Sequence, residues 1–266
     1  MALGLLLLPM VTVLLAGVGL GAGLLGSMVG VGGGVILVPA LVLGFGVPLE
    51  EAIPASLMCV VASSCGAAAN YVEHQMSDIR LALTLELATV GGALAGGLVA
   101  GHIAPAWIAV VFGLFLTYTS LQLLPARAVQ VEAEPSEYVP VNYPLGISGS
   151  FVAGGLSALL GVGGGPLKVP LMTVGMRVPF KVAAATSNLM IGLTAAASVM
   201  GYAARGHLDL GLAAPLVVGV LAGAMAGSRI MVRAPTAFLK RLFAVVLLGV
   251  AAQMLWKGGA ALWLRG

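Results

Sequence analysis

Charge is scarce in this sequence. Only 8% of its 266 residues are Asp, Glu, Lys or Arg, and its mean hydropathy is +1.12. A soluble domain is about a quarter charged, so the shortage excludes a soluble enzyme, a nucleic-acid-binding domain and a disordered scaffold. Histidine and cysteine are scarce too. His74, His102 and His207 fall in short loops without clustering, and Cys59 and Cys65 lie in one apolar run that no helix could bridge with a disulfide. No metal site or nucleophilic triad is expected, and no cofactor is implied. Aromatic residues reach 6%, and the apolar runs are continuous instead of alternating at strand period, which fits broken α-helical spans better than an outer-membrane barrel. What is abundant is long apolar sequence punctuated by 39 Gly and 14 Pro. That combination predicts an all-α polytopic membrane protein whose helices are interrupted.

The net charge of +3 then reads as loop orientation in a bilayer. The opening stretch MALGLLLLPMVTVLLAGVGLGAG lacks the basic start of a cleaved signal peptide and reads as the first membrane segment. Sliding the chain by 131 residues aligns positions 22–124 with 153–255 without a gap, and 29 of the 103 pairs are identical. Such self-similarity marks an internal repeat. The matches include Gly30-Val31-Gly32-Gly33-Gly34 with Gly161-Val162-Gly163-Gly164-Gly165, Val38-Pro39 with Val169-Pro170, and Val47-Pro48 with Val178-Pro179. Ser56, Tyr71, Asp78, Gly92, Gly96 and Gln122 likewise match Ser187, Tyr202, Asp209, Gly223, Gly227 and Gln253. The organisation is therefore a first transmembrane repeat over 1–124, a polar linker over 125–144 and a second repeat over 145–266.

Each repeat reads as an interrupted apolar block followed by three spans: 4–44, 52–72, 81–101 and 107–124, then 145–176, 182–204, 210–230 and 241–257. The triple glycine and following proline mark a sharp break in each block. If the block folds back as a hairpin, the halves are inverted. One side of the membrane then holds Arg80, Arg127, Arg177, Lys181, Arg229, Arg233, Lys240 and Arg241, against Arg205, Lys257 and Arg265 on the other. A single crossing leaves a nearly even split, so the positive-inside rule favours two inverted repeats with a cytoplasmic linker and both termini outside.

Inverted repeats with broken helices place a substrate site near the midplane, where the breaks face each other. Unwound glycines offer free N–H groups, and the helix that restarts after them turns its positive end to the site, which suits an anion. The alternative is that the glycines only let helices pack closely. Candidate substrate-binding residues are Gly32, Gly33, Gly34, Gly163, Gly164 and Gly165, together with Lys168, Ser56, Ser187 and Asn188. Most charges sit in loops or at span ends; Lys168 and Glu86 do not. An ionisable group at membrane depth is a functional candidate. Lys168 stands three residues after Gly165 and has Leu37 as its repeat partner, with snorkelling to the cytoplasmic face as the alternative. Glu86 is a candidate for proton coupling or a loop-facing carboxylate. Ser56, Cys59, Ser63 and Asn70 form a polar stripe on one span, and Ser187, Thr194 and Ser198 on its equivalent; interhelical hydrogen bonding is the competing explanation. Tyr71 and Tyr202 look like interfacial anchors, and Asp78 and Asp209 like helix caps. Gly21-Ala22-Gly23-Leu24-Leu25-Gly26 fits a dinucleotide-binding pattern literally but follows no strand and carries no weight.

The paired GVGGG with its following Val-Pro, the second Val-Pro about eight residues on and the serine-bearing span resemble the sulfite exporter TauE/SafE family of bacterial membrane proteins. The resemblance covers residues 10–257. It implies a multi-pass protein of the bacterial inner membrane that transports small sulfur-containing anions, sulfite, sulfonates or related organosulfur acids, coupled to an ion gradient such as protons. Lys168 is not carried over from the family. The expected partners are the small anion and the lipid bilayer, with no nucleic acid. A passive anion channel, a non-transport membrane subunit and an intramembrane enzyme stand as alternatives, although the spans contain no His-carboxylate or Cys-His constellation.

Overall fold

The computed structural model describes residues 2–99, 107, 110, 113–114, 116–118, 120–121, 138–160, 164–203 and 208–263. Every regular element among them is helical. The first repeat contributes α1 (Ala2–Val29), a short α2 (Gly34–Pro39) that runs into a π-helical turn at Ala40–Gly44, α3 (Leu49–Glu73) and α4 (Ile79–Val99). The described residues between 107 and 121 are also helical. The second repeat supplies α5 (Tyr143–Leu160), a short α6 (Gly165–Pro170) with its own π-helical turn at Leu171–Gly175, α7 (Phe180–Ala203), α8 (Leu210–Arg233) and α9 (Thr236–Trp263). Five described helices are long and apolar enough to cross a bilayer, over Met10–Val29, Glu51–Glu73, Phe180–Met200, Leu210–Arg233 and Thr236–Ala260. Leu87, Leu94, Met200, Val218 and Val245 are largely exposed on the outside of the fold, an oily exterior that suits lipid.

Caps stand where the sequence supplies them. Asp209 accepts from the N–H groups of Gly211 at 2.8 Å and Leu212 at 3.2 Å, and Asp78 accepts from the N–H of Leu81 at 2.8 Å. The breaks follow from glycine and proline chemistry. Gly33 and Gly164, equivalent in the repeat, take left-handed φ values of 68° and 71°, a region closed to most side chains. At Gly33 the backbone has turned back onto α1, so that a Cβ there would lie 2.9 Å from the carbonyl oxygen of Ala22. Six residues later Pro39 and Pro170 interrupt the α-helical ladder, because proline has no N–H to donate, and a π-helical turn begins at the next residue in both halves.

The two repeats are interleaved. Helix α1 packs along α8 of the other repeat, α5 packs along α4, and α3 lies against α7 and α8. Bare backbone makes these contacts. A Cβ on Gly23 would fall 2.2 Å from the Val220 oxygen and one on Gly223 would fall 2.1 Å from that of Leu20. The repeat-equivalent pair repeats the clash: Gly154 at 2.0 Å from the Thr89 oxygen and Gly92 at 1.8 Å from that of Phe151. Without a side chain the helices approach to backbone contact, which is how small residues drive association in lipid. Ala16, Leu20 and Leu24 meet Gly219, Gly223 and Gly227 in order, so α1 and α8 run in the same direction.

Candidate functional site

The two glycine breaks meet in the interior. A Cβ on Gly165 would lie 2.9 Å from Val31 Cα and 3.1 Å from the Gly30 oxygen, and one on Gly30 would lie 2.7 Å from Ala184 Cα. The start of α6, the first GVGGG and α7 therefore converge at one point. Gly163 lies outside the described residues; Gly32, Gly33, Gly34, Gly164 and Gly165 lie in the two breaks.

Lys168 stands beside this junction on α6, with its side chain 1% exposed. Its ammonium donates to Glu86 Oε2 at 2.8 Å and to Thr194 Oγ1 at 3.2 Å. The Thr194 hydroxyl in turn donates to Glu86 Oε1. Neither of the bland alternatives holds: Lys168 does not snorkel to a face and Glu86, 6% exposed, does not look into a loop. Glu86 comes from α4 of the first repeat, whereas Lys168 and Thr194 come from α6 and α7 of the second. Among the described residues this is the one ion pair, and it ties the halves together.

Its repeat equivalent is apolar. Leu37 replaces Lys168, Val217 replaces Glu86 and Ser63 replaces Thr194. Leu37 and Val217 belong to one hydrophobic cluster with Leu41, Leu216 and Val220, and the buried Ser63 hydroxyl has no partner. Among the described residues the charged site exists once.

Ser56, Ser187 and Asn188, just after the breaks, bond to backbone there. Ser56 Oγ donates to the Gly34 oxygen at 3.1 Å, and its equivalent Ser187 donates to the Gly30 oxygen at 2.7 Å, across the two repeats. Asn188 Nδ2 donates to the Ser27 oxygen at 2.8 Å, while its Oδ1 is buried without a partner. The glycine amides are also largely engaged: those of Val31 and Gly32 donate to the Gly26 oxygen, that of Gly30 to Ser27 and that of Gly34 to Gly32. The break closes on itself through local turns, so fewer N–H groups are free than an unwound segment suggests.

Sequence reasoning missed two supports. Tyr71 is fully buried and donates to the Ser27 oxygen at 2.8 Å, so it is no interfacial anchor. An aromatic near a span end gives the same signal in either role; only packing separates them. Ser64 donates to the Asn188 oxygen at 2.7 Å, linking α3 to α7 next to the stripe residue that was singled out.

The sequence profile described as "Sulfite exporter TauE/SafE" matches residues 15–254. The chain belongs to the TauE/SafE family. It is 29% identical over 268 residues to the probable membrane transporter protein YunE of Bacillus subtilis (strain 168), covering 92% of this chain and 98% of that protein. A probable membrane transporter protein of Xylella fastidiosa (strain 9a5c) is 29% identical over 251 residues, covering 92% and 94% of the two chains. The probable membrane transporter protein MJ0441 of Methanocaldococcus jannaschii is 27% identical over 204 residues, with coverage of 74% and 73%. No solved structure matches. This TauE/SafE protein is thus a multi-pass membrane protein of a transporter family, with a buried ion pair at the junction of its two repeats.

Proposed function

We propose that this protein is a secondary transporter of small sulfur-containing anions, coupled to an ion gradient, whose two inverted halves carry the anion past Lys168 by alternating access. The observation that carries this reading is the position of Lys168: a buried amine, paired with Glu86, beside the junction where the glycine breaks of both repeats touch. A charge at that depth is costly and is retained where something of opposite sign passes. The sulfur chemistry is drawn from the family's description alone.

Inversion has separate support. Gly33 folds back onto Ala22, and Tyr71 near the end of α3 reaches Ser27 near the end of α1, as expected if the block between them returns as a hairpin. The interleaved pairs α1 with α8 and α5 with α4 are related by the repeat, which is what two halves rocking about a pseudo-two-fold axis require. In the site, Lys168 supplies the charge and Gly164 and Gly165 supply close backbone approach, with Gly32, Gly33 and Gly34 in the other break. Ser56, Ser187 and Asn188 hold the broken backbone in shape. Glu86 is the coupling group.

Proteoliposomes containing the purified protein and offered sulfite, thiosulfate, methanesulfonate, a short carboxylate, and neutral and cationic solutes test the function. Concentrative uptake of sulfur anions that collapses with a protonophore is expected. Movement of neutral or cationic solutes alone would overturn it, and downhill anion flux indifferent to the protonophore would make the protein a channel.

A further inference from the structure

Glu86 and a transported anion need the same partner. Lys168 Nζ is held by Glu86 Oε2 at 2.8 Å, and both side chains are almost completely buried, so an anion reaching Lys168 must displace the carboxylate. A displaced Glu86 carboxylate would be an unpaired charge at membrane depth, which is prohibitive unless it is neutralised. Among the described residues on the helices packed here, none supplies a compensating charge. Helices α5 and α6 bring no other Asp, Glu, Lys, Arg or His, and α7 brings only Lys181, whose ammonium donates to the Val232 oxygen at 3.1 Å. On α4 itself the other charged residue is Arg80 in the first turn. Thr194, the remaining polar contact, is neutral and bonds both members of the pair.

From this geometry, and resting on the transporter reading above, we infer that anion and proton share one site by exchange: a proton taken up by Glu86 releases Lys168 to bind one monovalent anion, and loss of both restores the pair. The charge balances at each stage. The empty site holds Lys168 as a cation with Glu86 as an anion, and the loaded site holds Lys168 with the substrate anion beside a neutral Glu86. The intermediate combinations leave one buried charge alone. The carrier therefore crosses either empty or with one proton and one anion, making transport of a monoanion electroneutral symport with a stoichiometry of one. Anion affinity rises as pH falls, because acid fills Glu86. The other repeat, with Leu37 and Val217 at the equivalent positions, has no such device, which limits the chain to one coupled site.

The test uses the full chain in liposomes with methanesulfonate or ethanesulfonate, each a monoanion at every pH used. For wild type, an imposed gradient of one pH unit should give about tenfold accumulation on the alkaline side, unchanged when a potassium diffusion potential is set with valinomycin. Exchange of labelled for unlabelled anion at symmetric pH should quicken on acidification. In Glu86→Gln the pH dependence of exchange should flatten and accumulation should fall to unity, while Glu86→Asp should restore a pH-driven accumulation. Accumulation that follows the membrane potential, or a pH-driven gradient that persists in Glu86→Gln, overturns the inference. So does loss of all exchange in both Glu86 variants while wild type remains coupled, which would make Glu86 structural. If wild type moves no anion at all, the transporter reading itself fails instead.

Discussion

Lys168 illustrates how a single buried residue is stabilised and constrained at once. Removing one member of a buried pair leaves the other charge uncompensated and costs about 3–5 kcal/mol, whereas replacing both with apolar groups is often neutral. This protein contains its own template for the second case, since Leu37 and Val217 occupy the equivalent positions in the other repeat. Lys168→Leu or Glu86→Val alone should lower the melting temperature in detergent strongly. The double variant Lys168→Leu/Glu86→Val should recover most of the loss while transporting nothing; thermal unfolding and flux measured on the same samples check both. A double variant no more stable than either single change would mean the pair does not interact energetically. Lys168 stood out in sequence because it was a lone cation in an apolar segment. Glu86 stood out likewise, but their pairing did not, because a separation of 82 positions and the apolar equivalents of both leave neither local spacing nor internal symmetry to signal a pair.

At the scale of elements, glycine decides how closely helices approach. Gly92 and Gly223 sit at equivalent crossings where a Cβ would penetrate a neighbouring backbone, whereas Gly17 and Gly249 have nothing within 4 Å. Gly92→Ala and Gly223→Ala should each destabilise the protein by about 1–3 kcal/mol through overpacking, and Gly17→Ala and Gly249→Ala should be neutral, as judged by thermal unfolding. A second element-level contact is the end of the linker. Tyr138 donates to Asp78 Oδ2 at 2.7 Å, and burial together with that hydrogen bond holds its phenol above the ordinary range. A raised phenol keeps its proton in the folded state, so this contribution is present below the usual tyrosine value and is lost as pH rises beyond it. Tyr138→Phe should weaken the contact by about 1 kcal/mol or less, given its partial exposure, and speed hydrogen exchange across 138–142. The breaks were legible because both repeats place the same glycines and prolines where left-handed turns and ladder ends demand them. Tyr71 was misplaced because its hydrogen bond to Ser27 depends on how α1 and α3 pack, which no local pattern encodes.

For the whole molecule, the repeat offset of 131 residues has counterparts among the described helices. The offset relates short helix to short helix, π-helical turn to π-helical turn and one interleaved crossing to the other. It could not foretell that each repeat reaches across to pack its first helix on the other, because sequence self-similarity says which segments are alike, not which touch. If the halves are inverted, a C-terminal reporter active only in the cytoplasm should be silent and one active only outside should work; the reverse would contradict inversion. That topology leads back to the junction where the halves meet. The most direct measurement of the central claim is sulfur-anion flux into proteoliposomes by wild type and Lys168→Ala at equal reconstituted protein. A fall of at least about tenfold in the variant, corresponding to loss of a charge-assisted contact, is the predicted result; equal flux in the two would contradict it.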